Sequence, residues 1–144
     1  MHPKQIIDDF KSLGSPFVLD GDELYIDNPE NIYPELEELA KSYKARIVAF
    51  LKGNYSDQDH AVKQTMDKII KFYCGVDQDM NEKINDWLNN DAVGTAAVMQ
   101  LLIDLNNNGW DKVREPICNF ENDVTDKLSE EIFERAMAYF KKGA

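Results

Sequence analysis

The chain has 144 residues, 43% of them hydrophobic and 30% charged, with a formal charge of −11. That length holds one ordinary domain or two small lobes, and that apolar content supports a packed core. The acidic residues are spread along the whole chain, and no basic stripe is interleaved with aromatics, which disfavours phosphate-driven nucleic-acid binding.

His2-Pro3 opens a first helix, with proline in the first turn, where its missing N–H has no intrahelical acceptor to lose. Ile6, Ile7, Phe10 and Leu13 recur at helical spacing, and Gly14 stops the run. Pro16-Phe17-Val18-Leu19 and Glu23-Leu24-Tyr25-Ile26 predict the two strands of a hairpin that turns at Asp20-Gly21-Asp22. Alternation puts Leu24 and Ile26 on one face and Tyr25 on the other, whereas Phe17 and Leu19 suit either face. After the Asn28-Pro29 break, Pro34 delays the next helix. Leu36, Leu39, Ala40, Tyr43, Ile47, Phe50 and Leu51 then continue at helical spacing, with a break expected near Ser42 and a stop at Lys52-Gly53.

From Ser56 onward the pattern is all-helical. Ser56 caps a helix carrying Val62, Met66, Ile69, Ile70 and Tyr73 that stops at Gly75. A short helix follows over Met80–Leu88, with Met80, Ile84, Trp87 and Leu88 on its apolar side. Another spans Ala92–Leu105, with Val98, Leu101, Leu102 and Leu105 inward, and ends at Asn106-Asn107-Asn108-Gly109. Trp110, Val113, Ile117 and Phe120 predict an irregular helix interrupted by Pro116. The last helix runs from about Thr125 to Lys141 on Leu128, Ile132, Met137 and Phe140. The expected fold class is therefore α+β: a helix–β-hairpin–helix lobe over residues 1–53 and an all-α bundle over residues 54–144.

Asp104 to Glu115 satisfies the calcium-loop pattern D-x-[DN]-x-[DN]-G-x5-E. Three residues argue against an ion there. Asp111 stands where such loops carry an apolar residue, Lys112 brings a cation to a ligand position, and Pro116 would disrupt an exit helix. Asp77, Asp79 and Asn81 begin a sister loop, but Glu82 and Leu88 fail it, so the Asn run reads as a helix C-cap. His2, in a tail expected to fray, and His60, on a polar helix turn, do not make a catalytic triad with any nucleophile. No Cys/His spacing suits zinc and no Gly-rich turn suits a phosphate. Cys74 and Cys118 are expected as reduced thiols. The expectation is a chain with no catalytic residues, no cofactor and no metal. It has no apolar run long enough for a membrane span and no signal peptide, and its expected place is the cytoplasm.

Gly14, Gly21, Leu24, Pro29, Leu36, Leu39, Lys44, Ile47 and Leu51 fall where the N-terminal docking domains named after TubC repeat their pattern. Over residues 3–53 the chain resembles that family, whose members stand on peptide and polyketide assembly lines, with similar domains on replication proteins of bacterial mobile elements. The resemblance implies a self-associating, non-catalytic module whose hairpin receives a segment of a partner protein, with Phe17, Leu19, Leu24, Tyr25, Ile26 and Asp27 as the partner-binding residues. Relatives carry basic residues on or just after the second strand. This chain has Asp22, Glu23, Asp27 and Glu30, so its partner segment should be neutral or basic. The chain is therefore expected to be a free-standing adaptor subunit of a larger bacterial enzyme, such as a DNA polymerase, primase or helicase of a mobile element. Homodimerisation through the hairpin is also expected. A second reading takes the acidic surface as a DNA mimic, an anti-CRISPR-like inhibitor that occupies a nucleic-acid channel.

Overall fold

The computed structural model describes residues 2–75, 82–113 and 115–142. The elements in chain order are α1 (Pro3–Ser12), β1 (Phe17–Asp20), β2 (Glu23–Ile26), α2 (Pro34–Ser42), α3 (Lys44–Leu51), α4 (Asp57–Tyr73), α5 (Glu82–Asn90), α6 (Ala92–Asn107) and α7 (Asp123–Lys142). Single 3-10 turns lie at Pro29–Asn31 and Cys118–Phe120. The result is an α+β chain, mostly helical, with one antiparallel hairpin. It divides into two compact units, Met1–His60 and Ala61–Ala144.

The first unit is built around Ile6, Phe10, Ala40 and Ile47, with Phe17, Leu24, Ile26, Leu36, Leu39 and Leu51 packed against them. α1 buries Pro3, Ile6 and Phe10, the i, i+3, i+7 spacing of a helix with one apolar side. A two-stranded hairpin is marginal in water unless something packs on it. Here the Phe17 ring stacks on Phe10, with centroids 4.5 Å apart. The register pairs Phe17 with Ile26, Val18 with Tyr25, Leu19 with Leu24 and Asp20 with Glu23. That leaves a two-residue loop, Gly21-Asp22, in which Gly21 takes φ 62°. A positive φ at the first loop residue alone is the pattern of a type II′ turn, which matches the twist of paired strands. Lys52, the C-cap of α3, reaches back to form an ion pair with Asp22 at the hairpin tip.

The hairpin is also tied to the end of α1. The Ser15 hydroxyl, fully buried, donates to the Asn28 carbonyl at 2.8 Å, and the Asn28 amide donates to the Gly14 carbonyl at 3.2 Å. Asn28 has φ 49°, a left-handed conformation that asparagine tolerates better than most residues. The break expected near Ser42 falls at Tyr43, which separates α2 from α3.

The core of the second unit gathers Met66, Ile69 and Ile70 of α4, Ile84 and Trp87 of α5, Val98, Leu101 and Leu105 of α6, and Ile132 and Ala136 of α7, together with Trp110 and Ile117. Two helices, α4 and α7, start on reciprocal caps. Ser56 Oγ accepts from the Asp59 N–H at 3.0 Å while Asp59 accepts from the Ser56 N–H at 2.9 Å. Asn122 and Thr125 repeat the arrangement before α7, at 2.8 and 2.9 Å. Such boxes satisfy backbone donors that the first helical turn leaves without partners. Asp91 caps α6 by accepting from the Gly94 N–H at 3.0 Å. Gly94 is required by close approach: a Cβ there would lie 2.8 Å from the Trp87 ring and 2.6 Å from the Asp91 carboxylate.

One expected element is corrected. Among the described residues, the segment carrying Trp110, Val113 and Ile117 is turn and bend, and only Cys118–Phe120 makes a 3-10 turn. The apolar spacing imitates a helix, but Gly109 turns the chain at φ 110° and Pro116 lacks a donor. The Trp110 indole instead donates to the Glu115 carbonyl at 2.7 Å and pins the loop. The expected start of the short helix at Met80, and the would-be sister loop at Asp77, Asp79 and Asn81, lie outside the described residues.

Candidate partner-binding site

The hairpin has two unlike faces. Phe17, Leu19, Leu24 and Ile26 are half-buried on the helix side, while Val18 and Tyr25 are 47% and 53% exposed on the other. Val18 and Tyr25 are directly opposite one another in the register, so they form one outward apolar pair. Of the six residues the sequence singles out, Tyr25 and Asp27 are exposed, whereas Phe17, Leu19, Leu24 and Ile26 face the helices. Val18 is the outward residue that sequence reasoning missed. It sits in the unbroken apolar run Phe17-Val18-Leu19, where alternation gives no sign of which side chain points out.

The register also fixes which backbone groups point outward. The Asp27 N–H donates to the Pro16 carbonyl at 2.9 Å, so that pair is hydrogen-bonded. By alternation Val18–Tyr25 and Asp20–Glu23 are hydrogen-bonded pairs as well. Phe17 and Leu19 on β1, and Leu24 and Ile26 on β2, turn their N–H and C=O groups away from the opposite strand. Among the described residues no third strand takes them up. The outward apolar pair is rimmed by Asp20 and Glu23, exposed and directly opposite each other, with Asp27 beyond. Like charges facing one another cost stability in a ladder. Together they set a negative potential around Val18 and Tyr25.

A second polar cluster lies at the start of α1. His2 is its N-cap, its Nδ1 accepting from the Lys4 N–H at 3.0 Å. The His2 ring lies 4.4 Å from that of His60 and packs edge-on to Phe50 and Tyr55. Tyr55, itself buried, hydrogen-bonds with His60 Nδ1 at 3.1 Å. Both histidines of the chain are thus brought together, whereas the sequence pattern puts one in a fraying tail and the other on an open helix turn. The signal for the first is the spacing from His2 to the N–H of Lys4, a capping geometry seldom supplied by histidine. An open cleft of about 690 Å³ beside His2 is lined by Lys4, Asp8, Asp9, Phe50 and Asp57. It contains no hydroxyl or thiol nucleophile for the imidazoles to activate.

The calcium-loop residues are engaged elsewhere. Asp104 lies inside α6 and accepts from Gln100 at 2.9 Å, and the Asn106 and Asn108 amides donate to the carbonyls of Trp110 and Phe120. Asn108 is the C-cap of α6, so the Asn run ends a helix as its composition indicates. Among the described residues, no three His, Cys, Asp or Glu side chains converge to hold a metal ion. No described helix is long and apolar enough to cross a membrane. Cys118 is buried and Cys74 half-buried, neither in a disulfide, and burial pushes the Cys74 thiol up.

Compared with known proteins, the chain matches no family model, no curated protein and no solved structure.

Proposed function

We propose that the chain is a non-catalytic docking subunit that recruits a larger bacterial enzyme through its hairpin. The observation that carries this reading is the outward Val18–Tyr25 pair on a sheet of two strands, both of which are edges. A sheet edge offers backbone donors and acceptors in register, and an extended segment of another protein can pair with them as an added strand. The side chains of that segment would then alternate between the outward Val18–Tyr25 face and the helix-covered face of the sheet. Asp20, Glu23 and Asp27 favour a segment with Lys or Arg flanking its apolar residues, by charge complementarity at the rim. The resemblance to TubC-like docking domains points to the same use of a hairpin. It extends the proposal to a replication enzyme of a mobile element, a polymerase, primase or helicase, as the partner.

The test is affinity purification of the tagged chain, followed by a binding titration between it and the purified enzyme it captures. Val18→Lys and Tyr25→Lys should each weaken binding at least about tenfold, a loss of about 1.4 kcal/mol. Both positions are exposed, so the helical circular-dichroism signal and melting should stay as in the unaltered chain. Binding that survives both substitutions, or that is lost only through changes in residues 61–144, rules out the hairpin as the contact.

A further inference from the structure

α6 is largely apolar, with Thr95, Gln100, Asn106 and Asn107 as its uncharged polar residues and Asp104 as its one charged residue. A helix of this composition ordinarily buries its large apolar side chains. This one does not bury all of them. Gly94, Val98, Leu101 and Leu105 are buried on one side, while on the opposite side Ala92, Ala96, Met99 and Ile103 are exposed or half-exposed. Met99 is 48% and Ile103 53% exposed, and Val93 beside them is 62% exposed. The four outward residues follow a 4-3-4 spacing, which confines them to about 60° of the helix circumference. From Ala92 to Ile103 this stripe crosses no charge, in a chain whose net charge is −11.

We infer that the outer face of α6 is a self-association surface, on which a second copy of this chain lays its own α6 antiparallel. Two features of the stripe select that occupant. The first is size. About a two-fold axis midway between Ala96 and Met99, Ala92 meets Ile103 of the other copy and Ala96 meets its Met99. Every large side chain then faces a small one, so the ridge of each helix fills the hollow of the other, the self-complementarity that an isologous contact requires. A parallel pairing would set alanine on alanine and isoleucine on isoleucine, splaying one end and leaving a gap at the other. The second feature is charge. Copies carrying −11 repel one another, and the stripe from Ala92 to Ile103 itself presents no charge to a second copy. Antiparallel α6 helices also oppose their dipoles.

The contact is one helix wide and about 16 Å long. That is smaller than the roughly 800 Å² per partner of a standard stable interface. The dimer is therefore a concentration-dependent one, in the micromolar to submillimolar range. It is separate from the hairpin and does not depend on the docking proposal.

Sedimentation of the full chain between about 10 and about 500 μM tests the inference in the range where such affinities read out. The mean mass should climb from monomer toward dimer with concentration. Met99→Glu and Ile103→Glu should each hold the chain monomeric with unchanged melting, since both sites are exposed. The double variant Ala96→Lys with Met99→Glu sets the introduced lysine of each copy against the introduced glutamate of the other, and should regain the dimer. An unaltered chain that stays monomeric throughout overturns the inference and leaves this face to some other protein. So does a dimer insensitive to the α6 substitutions but abolished by Tyr25→Lys, which would place self-association at the hairpin. Single variants that dissociate without recovery in the double variant overturn the antiparallel pairing.

Discussion

Asp91 makes four contacts with one carboxylate. Arg135 reaches it with two nitrogens, at 3.0 and 2.7 Å, the Trp87 indole donates at 3.1 Å and the Gly94 N–H at 3.0 Å. The Arg135 hydrogen bond above all, then the Gly94 and Trp87 donors, hold the carboxyl down at about 2, against a partial desolvation that acts the other way. In the unfolded chain the same group sits near 3.8. Because the folded value is the lower one, the stabilisation is complete above the unfolded value and is lost as pH falls through the folded one. Asp91→Asn keeps an amide oxygen for the Gly94 cap but removes the charge that Arg135 grips. The variant should be less stable at neutral pH, because the charge-assisted fork from Arg135 is lost. Urea midpoints measured between pH 5 and 2 should converge with those of the unaltered chain, because the latter loses the same contribution to acid. Parallel midpoints across that window would show that Asp91 acts as a cap alone.

At the scale of elements, α4 is clamped by a buried cation. Lys63 forms ion pairs with Glu121, just before α7, and with Asp126 in its first turn. The Lys63 and Glu121 side chains are only 13% and 7% exposed. Burial works against the ammonium, but the two carboxylates outweigh it and raise Lys63 above its ordinary 10.5. The contribution is thus complete below that value and fades as pH rises through the higher folded one. Lys63→Met should lower the urea midpoint, because Glu121 and Asp126 would lose the buried ammonium that lies between them. Adding Glu121→Leu should restore most of that stability, since an apolar replacement of both partners is often neutral. No recovery in the double variant would mean that Lys63 acts mainly through its packing.

The elements legible in the sequence are those whose burial repeats at a single period. Ile6 and Phe10 in α1, and Val62, Met66, Ile69 and Ile70 in α4, announce one buried side each, and both are buried as expected. The hairpin is legible because Gly21 supplies a turn conformation that most residues avoid. Where the apolar pattern has no contrast, it cannot assign faces. In β1 the run Phe17-Val18-Leu19 hides which side chain points outward, whereas in α6 the spacing of Val98, Leu101 and Leu105 marks the side that is buried. The segment after Gly109 fails for the opposite reason: its 3-4-3 spacing is helical, but a proline and an indole–carbonyl bond outweigh periodicity. Contacts distant in sequence, such as Lys63 with Glu121 or Asp91 with Arg135, leave no local signature.

At the scale of the whole molecule, the two units hold their aromatic residues unequally. Trp87 and Trp110 are the chain's two tryptophans, and both are buried in the core of the second unit. The first unit has tyrosines and phenylalanines only. Excited at the red edge of the indole band, the protein therefore emits from one unit and is silent from the other. The first unit has only about 60 residues, a size at which a single core is marginal. On warming, the far-ultraviolet helical signal should begin to fall while the indole emission still has its buried, blue-shifted maximum. The emission should shift red only in a later step. Coincident curves would mean that the units unfold as one cooperative body. Fluorescence and circular dichroism together thus act as two separate thermometers, reading one half of a single chain and the whole of it without any label attached.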